Sequence, residues 1–212
     1  MKIVLCVSAI LAAAGVASAQ VWNEIPDAPE LPPGQMTVGV GALVGITGDL
    51  SNVNGDFVDM YCIHISNPAN FLATTTNGAT TVSDTQLWLF NVNGLGVTAD
   101  DDDPLGGTFH SRITGAFVPG PGDYLLAVSG YNSDPLNAAG ALIWNNSPFA
   151  VERAPDGPGA PGPVASWAHD SFAPDGHYQI DLSGAEYCQA PAPASLALLG
   201  LTGTLGFRRR RR

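Results

Sequence analysis

Positive charge is what this sequence has least of. Of eight Lys and Arg residues in 212, Lys2 and Arg208 to Arg212 lie at the extreme ends. That leaves Arg112 and Arg153 against all 19 Asp and Glu between Gln20 and Phe207, a net −17 over that stretch. Phosphate contacts dominate nucleic-acid affinity, so a nucleic-acid partner is excluded. The excess makes a self-repelling, soluble surface, or one that collects divalent cations. Also missing is any run of about 20 apolar residues, the length a stable membrane helix needs. No window carries a 3.6-residue apolar stripe, which excludes an all-helical fold. Catalytic signatures are scarce: His64, His110, His169 and His177 are far apart, no His-Glu-x-x-His occurs, and Ser129 lacks the flanking glycines of a nucleophile elbow. The expectation is a protein that is not an enzyme; the competing reading is a secreted hydrolase whose site is assembled from distant residues.

Glycine and proline, in contrast, are abundant, at 25 and 17 residues. They punctuate short apolar runs, the pattern of strands joined by many turns. Strands are predicted at Gly41–Thr47, Phe57–Ile65, Phe71–Thr76, Thr85–Asn91, Arg112–Val118, Tyr124–Ser129, Ala141–Asn145 and His177–Ser183. In the last, Tyr178, Ile180 and Leu182 share one face, so the strand should be half buried. Thr85–Asn91 is large and partly apolar on both faces, Leu87 and Leu89 against Trp88 and Phe90, as in a strand covered on both sides near a sheet centre. The fold class is therefore all-β: a single antiparallel β-sandwich or jelly-roll-like domain. Its predicted limits are 36–188. Before it, residues 20–35, with Pro26, Pro29, Pro32, Pro33 and Gly34 among acids, read as an extended spacer. Residues 132–176, with Pro155 to Pro163 at their centre, read as a mobile surface excursion.

The two ends read as addresses. Lys2, the apolar run Ile3–Val16 and Ala17-Ser18-Ala19 have the layout of a secretory signal cut by signal peptidase after Ala19. At the other end, 189–212, Pro191-Ala192-Pro193 precedes the 13 residues Ser195–Phe207 and then five arginines beginning at Arg208. Such a stretch anchors weakly and transiently, with the arginines inside. The arrangement resembles the PEP-CTERM sorting tail of bacterial exosortase substrates, with alanine in place of the motif's glutamate. The resemblance implies export, cleavage near Pro191 and Pro193 by an exosortase-like enzyme, and delivery to the cell surface or extracellular matrix.

Of three cysteines, Cys6 leaves with the signal. Cys62 and Cys188 remain. In an oxidising compartment they argue for one disulfide closing a loop of about 125 residues and contributing about 4 kcal/mol through loop-closure entropy. Two buried free thiols are the alternative.

Five segments, Gly55-Asp56-Phe57-Val58-Asp59-Met60-Tyr61, Asp84-Thr85-Gln86-Leu87-Trp88-Leu89-Phe90, Asp100 to Asp103, Ser111-Arg112-Ile113 and Gly122 to Tyr131, follow one another in an order that resembles the bacterial pre-peptidase C-terminal domain over about residues 45–131. Residues 132–188 extend beyond it. The resemblance implies a jelly-roll-like accessory or matrix-binding module without catalysis, whose calcium-binding members place ligands near Asp56 and Asp59.

Two acidic stretches are candidate calcium sites. Asp100 to Asp103 crowd a turn where alternate residues point the same way, so two of the four can share an ion with Asp84 or Asp123 completing it; Asp100, Asp102 and Asp103 are the candidates. A solvated turn with Arg112 as counter-charge explains the same residues. Asp49 to Asp59 is rich in oxygen ligands, but Leu50 and Tyr61 fall where an EF-hand needs carboxylates; a plain Asn-Gly turn is the alternative. Trp88, Trp144, Trp167, Tyr131 and Phe149 form a candidate aromatic platform for an extracellular polysaccharide, with Trp88 more at home in a core.

Overall fold

The computed structural model describes residues 19–189. Most of the signal segment and all of the sorting tail after Gln189, with Pro191, Pro193 and Arg208, lie outside the described residues. Among those described, no helix is long and apolar enough to cross a membrane.

Thirteen strands follow in chain order: β1 (Gln20–Asn23), β2 (Gln35–Met36), β3 (Leu43–Leu50), β4 (Val58–Ile65), β5 (Leu72–Thr74), β6 (Thr85–Asn91), β7 (Gly96–Asp100), β8 (Arg112–Thr114), β9 (Gly122–Gly130), β10 (Asp134–Asn137), β11 (Val164–Ala168), β12 (Gly176–Ser183) and β13 (Ala185–Tyr187). They form an all-β sandwich. One sheet has the order β1-β3-β12-β5-β8; the other runs β13-β4-β9-β6-β7, with β2 on the same edge of β4 as β13; β10 and β11 make a separate ribbon. Neighbours are antiparallel except for β1 with β3 and β2 with β4, so the purely antiparallel expectation fails at two places, both contributed by the N-terminal segment.

Alternation decides where each side chain goes. Tyr61, Ile63 and Ile65 of β4, Leu87 and Leu89 of β6 and Leu126 and Val128 of β9 face Leu43, Ile46, Tyr178 and Ile180 of the opposite sheet. Between them lie Met60, Cys62, Trp88, Phe90, Leu125 and Ala127, which point the other way into a second core. β6 is thus covered on both faces, as its sequence predicts, while β9 takes the central position in the sheet. Tyr178, Ile180 and Leu182 of β12 are buried and their neighbours are not, the half-buried period-two strand expected.

The second core needs a lid, and residues 132–168 provide it. Ile143, Trp144, Val164 and Trp167 are buried on Trp88 and Phe90, with ring centroids 5.4 Å apart for Trp88–Trp144 and 5.6 Å for Phe90–Trp144. Each indole N–H has a partner: Trp88 donates to Ser129 Oγ, Trp144 to the Arg153 carbonyl and Trp167 to the Glu30 carbonyl. The mobile excursion expected from its prolines is therefore a packed cover. Gly157 and Gly159 lie where any Cβ would strike the Ala141 and Leu142 carbonyls, so the Pro-Gly run is seated against the chain rather than looped into water. Ala141–Asn145, expected as a strand, is irregular: Leu142 makes one isolated bridge to Leu136, while Ile143 and Trp144 turn inward. Arg112–Val118 is a strand only to Thr114, whose hydroxyl accepts the Ala116 N–H and starts a 3-10 turn.

The spacer expected at 20–35 is also structured. β1 extends the first sheet, Trp22 donates its indole N–H to Gln35 Oε1 at 2.8 Å, and Gln35 Nε2 in turn donates to the Ile25 and Pro26 carbonyls. Cys62 of β4 is joined by a disulfide to Cys188, just after β13, with Cα atoms 5.5 Å apart.

Trp144→Ala should cost about 3–5 kcal/mol, the usual loss for deleting a buried aromatic. Denaturant unfolding checks this, since an exposed position on a mobile loop would lose under about 0.5 kcal/mol.

Candidate functional site

Two groups of carboxylates have the donor set of a hard divalent cation. The first joins Glu24, Asp27 and Asp59, whose nearest oxygens lie within 4.8 Å of one another. Each comes from a different circumstance of the chain. Asp59 is on β4 at the inner face and is fully buried. Glu24 follows β1 and is fixed by its backbone N–H to the Thr47 carbonyl, while its Oε1 accepts the Ala28 N–H at 2.7 Å and its Oε2 the Asp49 N–H at 3.1 Å. Gly48 of β3 makes that approach feasible, because a Cβ there would collide with the Tyr178 hydroxyl and the Glu24 carboxylate. Asp27 is exposed above them.

Behind the group runs a hydrogen-bonded relay. The Tyr178 hydroxyl donates to Asp59 Oδ2 at 2.5 Å and is itself in contact with the Tyr61 hydroxyl. Asp59 Oδ1 is buried and has no partner. Burial first, then the charges of Glu24, Asp56 and Asp27, push the Asp59 carboxyl up to about 9 despite the Tyr178 hydrogen bond. At neutral pH it therefore holds a proton unless a cation takes that proton's place. Both tyrosine hydroxyls are pushed upward, mainly by burial, so they remain donors. In front of the group opens a cleft of about 310 Å³ lined by Glu24, Pro26, Asp27, Asp49, Ser51, Asn54 and Asp56. Asp56 is half-buried there and is raised to about 7, by burial first and then by Asp27 and Glu24.

The second group joins Asp84, Asp101 and Asp102. Here the sequence expectation needs correcting. The strand ends at Asp100, so alternation stops and Asp101 turns to the side of Asp102. Asp100 leaves the group: its Oδ2 accepts the Arg112 N–H at 2.9 Å, tying β7 to β8 across the two sheets. Asp103 also leaves, accepting the Leu105 N–H within its own turn. The Arg112 counter-charge is thus a backbone N–H, and among the described residues no ion pair joins its guanidinium to an acid. Asp123, a candidate to complete the set, instead pairs with His64 at 2.6 Å. Asp84 and Asp101 each have one buried oxygen without a partner, and burial with their mutual repulsion raises Asp101 to about 8; burial with Asp102 raises Asp84 to about 6.

Of the aromatic candidates, Trp88, Trp144 and Trp167 are spent in the second core, and Tyr131 and Phe149 form an exposed pair with centroids 6.1 Å apart. Three histidines pair with acids, His64 with Asp123, His169 with Glu30 and His177 with Asp49, and the ring of His110 meets the Val82 carbonyl. The chain has so few Lys and Arg that these acids take imidazoles as hydrogen-bonding partners. Sequence reading missed Glu24 and Asp27 because it placed them in a spacer; the one available signal was Val21-Trp22, an apolar pair in an otherwise acidic, proline-rich stretch.

The raised carboxyls fix the pH dependence. Asp56, Asp59, Asp84, Asp100 and Asp101 titrate between about 6 and 9 when folded, against the ordinary 3.8 when unfolded. Through that window the folded state binds more protons, so stability falls as pH rises. In EDTA the protein should melt higher at pH 5 than at pH 8, with a smaller difference in Asp59→Asn; a flat or rising melting temperature in calorimetry would contradict the assignment. No family model, no curated protein and no solved structure matches the chain, so its site is read from its own geometry.

Proposed function

We propose that this is an exported, non-catalytic β-sandwich that works at the cell surface or in the extracellular matrix as a structural or binding module, stabilised by calcium at Glu24, Asp27 and Asp59. The observation that carries the calcium reading is the fully buried Asp59, whose Oδ1 lacks any partner and sits beside two further carboxylates. A buried, unpaired carboxylate is costly, and a hard cation with oxygen ligands relieves that cost. Calcium bound there would join β1 to β4 and so fasten the N-terminal segment. Calcium is also the divalent cation suited to an extracellular setting, and a disulfide suits the same oxidising surroundings.

Export rests on the two ends of the sequence. The signal layout before Gln20 and the Pro-Ala-Pro, apolar and arginine series after Gln189 together support processing by signal peptidase and an exosortase-like enzyme, with only transient membrane attachment through the tail. The −17 charge between them suits a module that stays soluble among other surface components.

Calcium at about a hundred times its Kd should add about 2.7 kcal/mol, or about 5–10 °C in Tm for a domain of this size. Asp27→Asn and Asp59→Asn should each remove most of that rise, whereas Asp103→Asn should keep it; an unchanged Tm in calcium would remove the ion from the reading. Mass spectrometry of the protein from its host should show a chain beginning at Gln20 and ending near Pro191. Intact chain recovered from the cytosol would refute export.

A further inference from the structure

The three side chains of the calcium reading cannot by themselves surround the ion. Calcium takes about six to eight oxygens. Both Glu24 oxygens already accept backbone N–H groups and Asp59 Oδ2 already accepts the Tyr178 hydroxyl, which leaves Asp59 Oδ1 and Asp27 as the oxygens least committed. Glu24 and Asp27 also line the open cleft, the side from which water or a ligand can reach the group. Five carboxylates gather at this place, Glu24, Asp27, Asp49, Asp56 and Asp59, and neither Lys nor Arg lines it. One divalent ion leaves that set negative, so uronates, phosphates and anionic lipid headgroups are repelled. Neutral oxygen pairs are not.

Next to the cleft lies exposed apolar surface that the sandwich does not use. Val53 is 94% exposed and lies in the turn between Ser51 and Asn54, two of the cleft's lining residues. Asn52 donates its side-chain N–H to the Ala173 carbonyl, which ties to that turn the loop carrying Phe172, 91% exposed. Apolar tips beside polar ligand positions match the two sides of a sugar ring, with hydroxyls at its edge and C–H groups on its face.

Resting on the calcium reading of the cleft, we propose that the bound ion bridges the protein to a neutral polysaccharide: a vicinal hydroxyl pair of a sugar completes the coordination from the open side, and Val53 and Phe172 cover the apolar face of the same or the next ring. The charge that excludes acidic ligands thereby selects neutral ones.

The test uses the full-length chain in two separate measurements. Terbium luminescence excited through the tyrosines, displaced by calcium, reports the ion; retention on immobilised mannan in calcium against EDTA reports the sugar, with alginate and phosphatidylserine vesicles run in parallel. The expected result is terbium uptake, calcium-dependent retention on mannan alone, loss of both signals in Asp27→Asn, and about five- to tenfold weaker retention with unchanged terbium uptake in Phe172→Ala. Terbium uptake without retention on mannan overturns the bridge and leaves the calcium reading standing; no terbium uptake overturns both. Retention that persists in EDTA, or that falls on alginate or vesicles instead of mannan, overturns the assignment to a calcium-held neutral sugar.

Discussion

The sheet built on β4, β9 and β6 is apolar on both of its faces, and the rest of the molecule is arranged to cover it. Its inner side chains meet β3 and β12, as in any two-layer sandwich. Its outer side chains, Met60, Cys62, Trp88, Phe90 and Leu125, would expose a large apolar surface if nothing lay on them. Residues 132–168 and the N-terminal segment meet that demand together, joined where Trp167 donates to the Glu30 carbonyl. Because the N-terminal segment is held down, Glu24 and Asp27 arrive beside Asp59. The acidic cleft is thus a consequence of covering hydrophobic surface.

A second constraint is the shortage of cations. With two arginines for nineteen carboxylates between Gln20 and Phe207, acids find partners among neutral donors: backbone N–H groups for Asp100, Asp103 and Glu24, the Tyr178 hydroxyl for Asp59, imidazoles for Asp49, Asp123 and Glu30. Hydrogen bonds of this kind leave some oxygens over, and those of Asp59, Asp84 and Asp101 are the ones that the fold brings near other acids. That scarcity leaves oxygen donors clustered without a counter-charge, the condition under which a divalent cation is favoured.

Much of the sandwich was legible because strands carry their burial in their alternation. β6 matches its predicted limits at both ends and β12 at its C-terminal end, since Leu87/Trp88 and Tyr178/Gln179 alternate without interruption. The short strands β1, β2, β7, β10, β11 and β13 were not legible, because two to five residues carry too little pattern. Proline misled twice, at 20–35 and at 155–163. Its effect is to forbid a central strand, and both segments obey that rule; it does not forbid packing, and both are packed.

Composition and pattern alone determined that the chain is all-β, acidic and poor in catalytic signatures, because those properties are sums over residues or periodicities within one segment. They also singled out Asp56, Asp59, Asp84 and Asp102 as acids worth following. Only the tertiary structure decided which acids meet. It separated Asp100 and Asp103 from Asp102, brought Asp101 to Asp84, and carried Glu24 and Asp27 across to Asp59. Asp84 and Asp101 are brought together from 17 positions apart, and Glu24 meets Asp59, 35 positions on, from the opposite sheet; local sequence holds no record of either approach.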